Sequence, residues 1–319
     1  MKRSITSLKH CMAALVIASM ASTALAQYNT ENLSPAADEA TVVRFTCDKL
    51  RLYPIMANDA FREANREMGA VVPLNKALQD GRLKINEHAD GAMVNTLQAI
   101  NTSTDTIYLM QGEVVVGGQQ DRMLAKDVLI PPGATMDIAA FCVEHGRWQE
   151  NGTGQGFSAT IGVVDQQVRK AAAEGEQTRV WEEVAEDVAH NKTETSSGSY
   201  AHLMQDKEFQ AERARYRERL LGLTTGRPGV VGVVAVSGDK VIGCDVFATE
   251  ALFTQAYPQL IDAYIAEALN NGSAVTMTGE EVNAYFTELF NDEAELEKKS
   301  AGKGYLFKAK DKTYRVSMF

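Results

Sequence analysis

The chain has 319 residues, with 42 acidic side chains against 32 basic ones and a net charge of −10 at neutral pH. That acidity repels nucleic-acid phosphates and anionic membrane faces, so neither is an expected partner. Five histidines and four cysteines, scattered without ligand spacing, argue against a metal centre, and no cofactor is implied.

Met1 to Ala26 reads as a secretory signal peptide. Lys2, Arg3 and Lys9 form its charged start, Met12 to Met20 its apolar core, and Ala24-Leu25-Ala26 a small-residue cleavage site. The apolar run is shorter than the roughly 20 residues a membrane span needs. No span is therefore expected after cleavage, and the chain is expected in the periplasm or outside the cell. Cys47, Cys142 and Cys244 follow, an odd number that allows one disulfide at most. All three lie in apolar runs, where a thiol behaves as a small buried hydrophobe.

Residues 27–40 are polar and expected to be a flexible N-terminus. Thr41 to Cys47 reads as a strand and Asp59 to Met68 as a short helix. Pro73 opens a helical turn that Gly81 stops. Arg82 to Glu87 alternates Leu83 and Ile85 inward against Lys84 and Asn86, as a half-buried strand does. Met93 to Ile100, Ile107 to Val116, Val128 to Ile130 and Met136 to Val143 continue the strands, separated by the Asn101–Asp105 and Pro131-Pro132-Gly133 turns. Asn101 also opens an Asn-x-Ser sequon.

After Val164 the pattern changes. Gln166 to Ala173 and Gln177 to His190 have helical spacing, 191–200 looks like a linker, and Leu203 to Leu221 is a helix whose alternating Arg and Glu suggest a solvated face. Val230 to Phe247 forms a buried hairpin, Glu250 to Asn270 a helix across it with a kink at Pro258, and Thr278 to Glu281 a capping box. The expected fold is α+β: an antiparallel β-rich part over 41–165, sandwich-like or a partly open barrel, packed against an α+β part over 166–319 that ends in a hairpin at 305–318, as one composite domain.

The unusual chemistry lies between residues 112 and 148, in GEVVVGGQQDR and CVEHGRW. These strings resemble the signature of a domain-of-unknown-function family named for its association with ADP-ribosylglycohydrolases and rhodanese-type phosphatases, and the likeness runs from about Leu74 to Leu269. One departure is Asp121, where the family's usual residue is asparagine, so that an amide able to donate is replaced by an acid that only accepts. The association implies a nucleotide or ADP-ribose-like ligand.

Two readings of these residues compete. In the first they line a pocket: Gly117 and Gly118 admit a ligand to the backbone, Gln119 and Trp148 contact it, Arg122 and Arg147 hold a small anion in two-pronged fashion, and Glu113 or Glu144 serves as base. In the second they form an internal clamp in which Glu113, inside an apolar strand, pairs with an arginine of the adjacent turn, with Glu87 from the upstream strand nearby. Binding or scaffolding is the leading expectation. The alternatives are hydrolysis of a phosphorylated or ADP-ribose-like molecule, or protein–protein interaction in the cell envelope. Nothing in the pattern sets the oligomeric state.

Overall fold

The computed structural model describes residues 27–88, 93, 95–147 and 156–319. Met1–Ala26, read as the signal peptide, and Trp148 lie outside the described residues. The apolar hairpin forms as its composition requires, from strands Val230–Ser237 and Lys240–Phe247. They sit at the centre of an antiparallel sheet ordered Leu33–Pro35, Leu50–Ala57, Val230–Ser237, Lys240–Phe247, Lys312–Met318 and Gly304–Ala309, with Thr46–Cys47 attached to Leu50–Ala57. Helix Glu250–Asn271 packs on one face through Leu252, Phe253, Leu260, Ile261 and Tyr264. Phe61 and helix Gly279–Phe290, which starts with the expected capping box at Thr278, cover the other.

The motif strands close instead of stacking. Leu83–Asn86, Thr96–Asn101, Glu113–Gly117, Arg122–Leu124, Thr135–Cys142 and Gly156–Val163 form a closed six-stranded barrel, with a three-stranded sheet beside it. Of the sandwich and the partly open barrel that the strand spacing allows, the strands form a barrel, and it is closed, which leaves no edge exposed. Leu83, Ile85, Leu97, Ala99, Val115, Leu124, Ile138 and Phe157 fill its interior. The opposite faces of Val114, Met123 and Phe141 pack against helices Gln166–Glu174, Gln177–His190 and Tyr200–Gln205.

Five local expectations need correction. Residues 27–40 contain a paired strand, Leu33–Pro35, and Tyr28 is buried edge-to-face on Phe61. Thr41 and its neighbours are helical over Glu39–Arg44, because the Asp38 carboxylate caps the Thr41 amide and overrides the β-branched residues. The run Ile107–Val116 is two strands, Thr106–Leu109 and Glu113–Gly117, broken where Gly112 takes φ +87° against Val163 and Arg169. Asn101 is no glycan acceptor: it is buried, and its Nδ2 donates to the carbonyls of Asp105, Ile130 and Pro131 at 2.8, 3.1 and 2.9 Å. On helix Lys207–Leu220, Arg213 and Arg217 leave the solvated face and grip the buried Asp262 at 2.6 Å each.

Barrel and sheet are joined by charges that the sequence hides. Arg315 of the terminal hairpin is fully buried and reaches Asp245 of the central hairpin and, at 3.1 Å, Asp127 in the turn that leaves barrel strand Arg122–Leu124. Arg169 is equally buried; it donates to Gln111 Oε1 at 3.0 Å, Gln166 Oε1 at 2.6 Å and Ser317 Oγ at 2.7 Å. Ser317 and Tyr264 also donate to Asp245. Burial pushes the Asp245 carboxyl up, but Arg315 and Arg169 overcome it and hold the group below its ordinary range.

Candidate functional site

The barrel's end carries the motif. Glu87 follows Leu83 and Ile85 on the inward face of their strand, and Arg122 shares the inward face of Leu124, so the two meet inside the barrel mouth. Arg122 is fully buried; its Nη1 donates to Gln120 O at 2.9 Å, and its Nη2 lies 3.5 Å from Glu87 Oε1. The same Glu87 oxygen accepts the Gln119 N–H at 3.2 Å. Gly118 (φ +54°) has no room for a side chain, since a Cβ there would stand 2.5 Å from the Phe157 ring and 2.8 Å from Glu87. Gly117 likewise abuts the Gly156 carbonyl. These glycines serve close backbone packing rather than ligand approach. Glu87 Oε2, Arg122 Nε and Gln119 Oε1 are buried without partners.

Arg147 belongs to a second group at the rim. It donates to Glu144 Oε2 through Nε at 2.8 Å and to Asp121 Oδ1 through Nη2 at 3.1 Å, and it bonds the Gly118 carbonyl at 3.2 Å. Asp121 accepts the Gly117 N–H at 3.1 Å and the Ser199 hydroxyl at 3.0 Å. Glu144 accepts the Ser197 hydroxyl at 2.6 Å and the Asp121 N–H at 3.2 Å. Burial pushes both carboxyls up. For Asp121 it prevails, and for Glu144 the bonds from Arg147, Ser197 and the Asp121 amide outweigh it and leave the group below its ordinary range.

Ser197 and Ser199 come from the stretch read as a linker. Its hydroxyls build a turn: Thr195 Oγ1 accepts the N–H groups of Ser197, Gly198 and Ser199, pairs with His202 Nδ1 at 2.6 Å, and Ser199 caps helix Tyr200–Gln205. Backbone bonds from Gly146 to Ser197 (2.7 Å) and Tyr200 to Val143 (3.0 Å) dock that turn on the motif. The signal available in the sequence was TETSSGS ahead of a helix, which is turn and cap chemistry as much as linker. Between turn and barrel lies an open pocket of about 580 Å³, lined by Asp121, Glu144, Arg147, Ser197, His202 and Gln205 among others.

Glu113 stands apart from both groups. It is buried, its Oε2 accepts the Met110 N–H at 2.8 Å, and no arginine among the described residues pairs with it. The expected Glu113–arginine clamp does not form; Arg122 turns to Glu87 and Gln120 instead. Desolvation pushes the Glu113 carboxyl up to about 8, the Met110 hydrogen bond and Arg315 opposing and Asp127 adding to it. The two-pronged anion clamp also fails, because Arg122 has no exposed surface and Arg147 is committed to two carboxylates.

Fold and site together define an α+β protein built on a closed barrel, with one buried and one open polar group at the barrel end. The chain belongs to the ARPP-1 family, the ARG and Rhodanese-Phosphatase-superfamily-associated Protein domain, whose model matches residues 41–319. No curated protein and no solved structure matches the chain. Among the described residues, no helix is long and apolar enough to cross a membrane.

Proposed function

We propose that the chain is a binding protein and that its open pocket takes a small, donor-rich ligand such as an amine or a polyol. The charge balance of the pocket carries this reading: Asp121 and Glu144 face a single guanidinium, that of Arg147, so the rim holds an excess of negative charge. A phosphate or carboxylate would meet that excess, whereas ammonium and hydroxyl groups complement it. Catalysis is the weaker reading, because Glu144 is already held by four donors and lowered below a useful base, and Glu113 is sealed. An interaction module is weaker still. Val43, Met93 and Leu221 are the large apolar side chains exposed among the described residues, too few for a patch of several hundred Å².

Gln205 lines the pocket and is exposed, so Gln205→Ala tests binding without disturbing the fold. A thermal-shift panel of amines, polyols, phosphate and ADP-ribose is expected to give a shift with an amine or polyol, reduced about fivefold or more in apparent affinity by the substitution. A shift with phosphate or ADP-ribose, unchanged in the variant, would overturn the assignment.

Export is proposed on the charged start, apolar core and small-residue site of Met1–Ala26. Cleavage there would free the amino group of Gln27 beside Glu293, whose Oε2 accepts from Gln27 N and, at 2.8 Å, from Tyr28 N. The mass of the chain recovered from the envelope fraction is expected to correspond to a start at Gln27; a retained Met1 would contradict export.

A further inference from the structure

A cavity larger than the motif pocket lies between barrel, helix and terminal hairpin. Its volume is about 740 Å³, within the roughly 300 to 1,000 Å³ of small-molecule sites, and it lies at the junction of two packed units, where such sites concentrate. Its walls are made of small residues: Ala125 and Ala139 from the barrel, Ala172, Ala173 and Gly175 from the end of helix Gln166–Glu174. Phe141, Leu306 and Phe307 supply the larger apolar surface. The hairpin side is strand Gly304–Ala309, the last of its sheet; Leu306 and Phe307 pack into the cores on opposite faces of that sheet, so the cavity runs along the strand's free edge.

The polar groups around the cavity differ in what they can still bind. Asp127 at its floor is spent: it accepts from Gln111 N at 2.6 Å, from Tyr305 OH at 3.0 Å and from Arg315 Nη1 at 3.1 Å. Lys308 is paired with Glu297 at 2.8 Å. Lys126 is exposed at the mouth and makes no ion pair among the described residues. What remains is a hydrocarbon-lined cavity with one unspent cation and no unspent carboxylate.

We propose that this cavity is a second ligand site, for an amphipathic organic anion: an apolar chain or ring in the alanine-walled cleft and a carboxylate or sulfonate at Lys126. The occupant thus carries a negative charge that the acidic rim of the motif pocket would repel, and the two sites share no lining residue.

Decanoate below its micelle concentration is the probe, titrated calorimetrically into the mature protein, with decanol and decyltrimethylammonium as comparators of equal chain length. Decanoate is expected to bind below about 1 mM and at least about tenfold more tightly than either comparator. Lys126→Glu is expected to weaken it about tenfold or more. Ala139→Phe, from an exposed strand position, and Ala173→Phe, from an exposed helix position, are each expected to block the cleft; having both keeps the test readable if one disturbs folding. Equal affinity for all three probes, decanoate binding unaffected by Lys126→Glu or by both phenylalanines, or no binding of decanoate, would each overturn the proposal.

Discussion

Replacing Arg315 by methionine is expected to cost about 5 kcal/mol, enough to leave little folded protein at physiological temperature. Arg315 has no exposed surface and serves two buried acids, Asp245 through Nε and Nη2 and Asp127 through Nη1. Methionine fills much of the volume but leaves those carboxylates in a low-dielectric junction with fewer partners. Arg169 stands 3.6 Å from Asp245 and offsets only part of that loss. The damage is also topological, because Arg315 ties the last strand to both the central hairpin and the barrel. Arg315→Lys keeps the charge without the planar fork and should retain part of the stability. Urea unfolding followed by circular dichroism checks this; a loss under about 1 kcal/mol would mean that the junction does not depend on the arginine.

Stability is expected to fall as pH rises from about 5 to 8, and Glu113→Gln is expected to remove much of the slope. The folded carboxyl, at about 8, lies far above its unfolded value, so the folded state holds a proton that the unfolded state releases. The contribution is fully present below the unfolded pKa and is lost as pH rises through the folded one. A shift of this size corresponds to about 5 kcal/mol, at roughly 1.4 kcal/mol per unit. Glu267, raised to about 7 mainly by burial, and Asp187, also raised mainly by burial, act in the same direction. Asp245 and Glu144, held low, contribute stability that is lost as pH falls through their folded values, which places the optimum on the mildly acidic side. Glutamine keeps an oxygen for the Met110 N–H and has no proton to lose. The variant should match the wild type at pH 5 and exceed it by several kcal/mol at pH 8; parallel pH profiles would show that Glu113 does not titrate as described.

The parts legible in the sequence were those set by local rules. The alternation of Leu83 and Ile85, the apolar run of Val230–Phe247 and the capping box at Thr278 each appear where periodicity and capping place them. Strand Leu50–Ala57 escaped notice because Pro54 interrupts its pattern, although it pairs with Val230–Ser237 across most of its length. The choice between sandwich and barrel stayed open because closure is non-local; alternating strands look alike in both. At the site, the sequence picked out Glu87, Arg122, Glu144 and Arg147 but paired Glu113 with an arginine it does not touch. Ser197 and Ser199 lie more than fifty residues beyond Glu144 and Asp121 along the chain, and only the fold brings them together. The Arg315–Asp245 pair was invisible for the same reason.

Urea unfolding of a double-mutant cycle on Glu87 and Arg122 tests most directly whether the motif's core is architecture, with the ligand pocket beside it. Arg122→Met alone should cost about 3 kcal/mol, because it strands a buried carboxylate, and adding Glu87→Gln should recover most of that loss. A near-neutral Arg122→Met, unchanged by the second substitution, would contradict the account and return Arg122 to the role of a ligand-holding group.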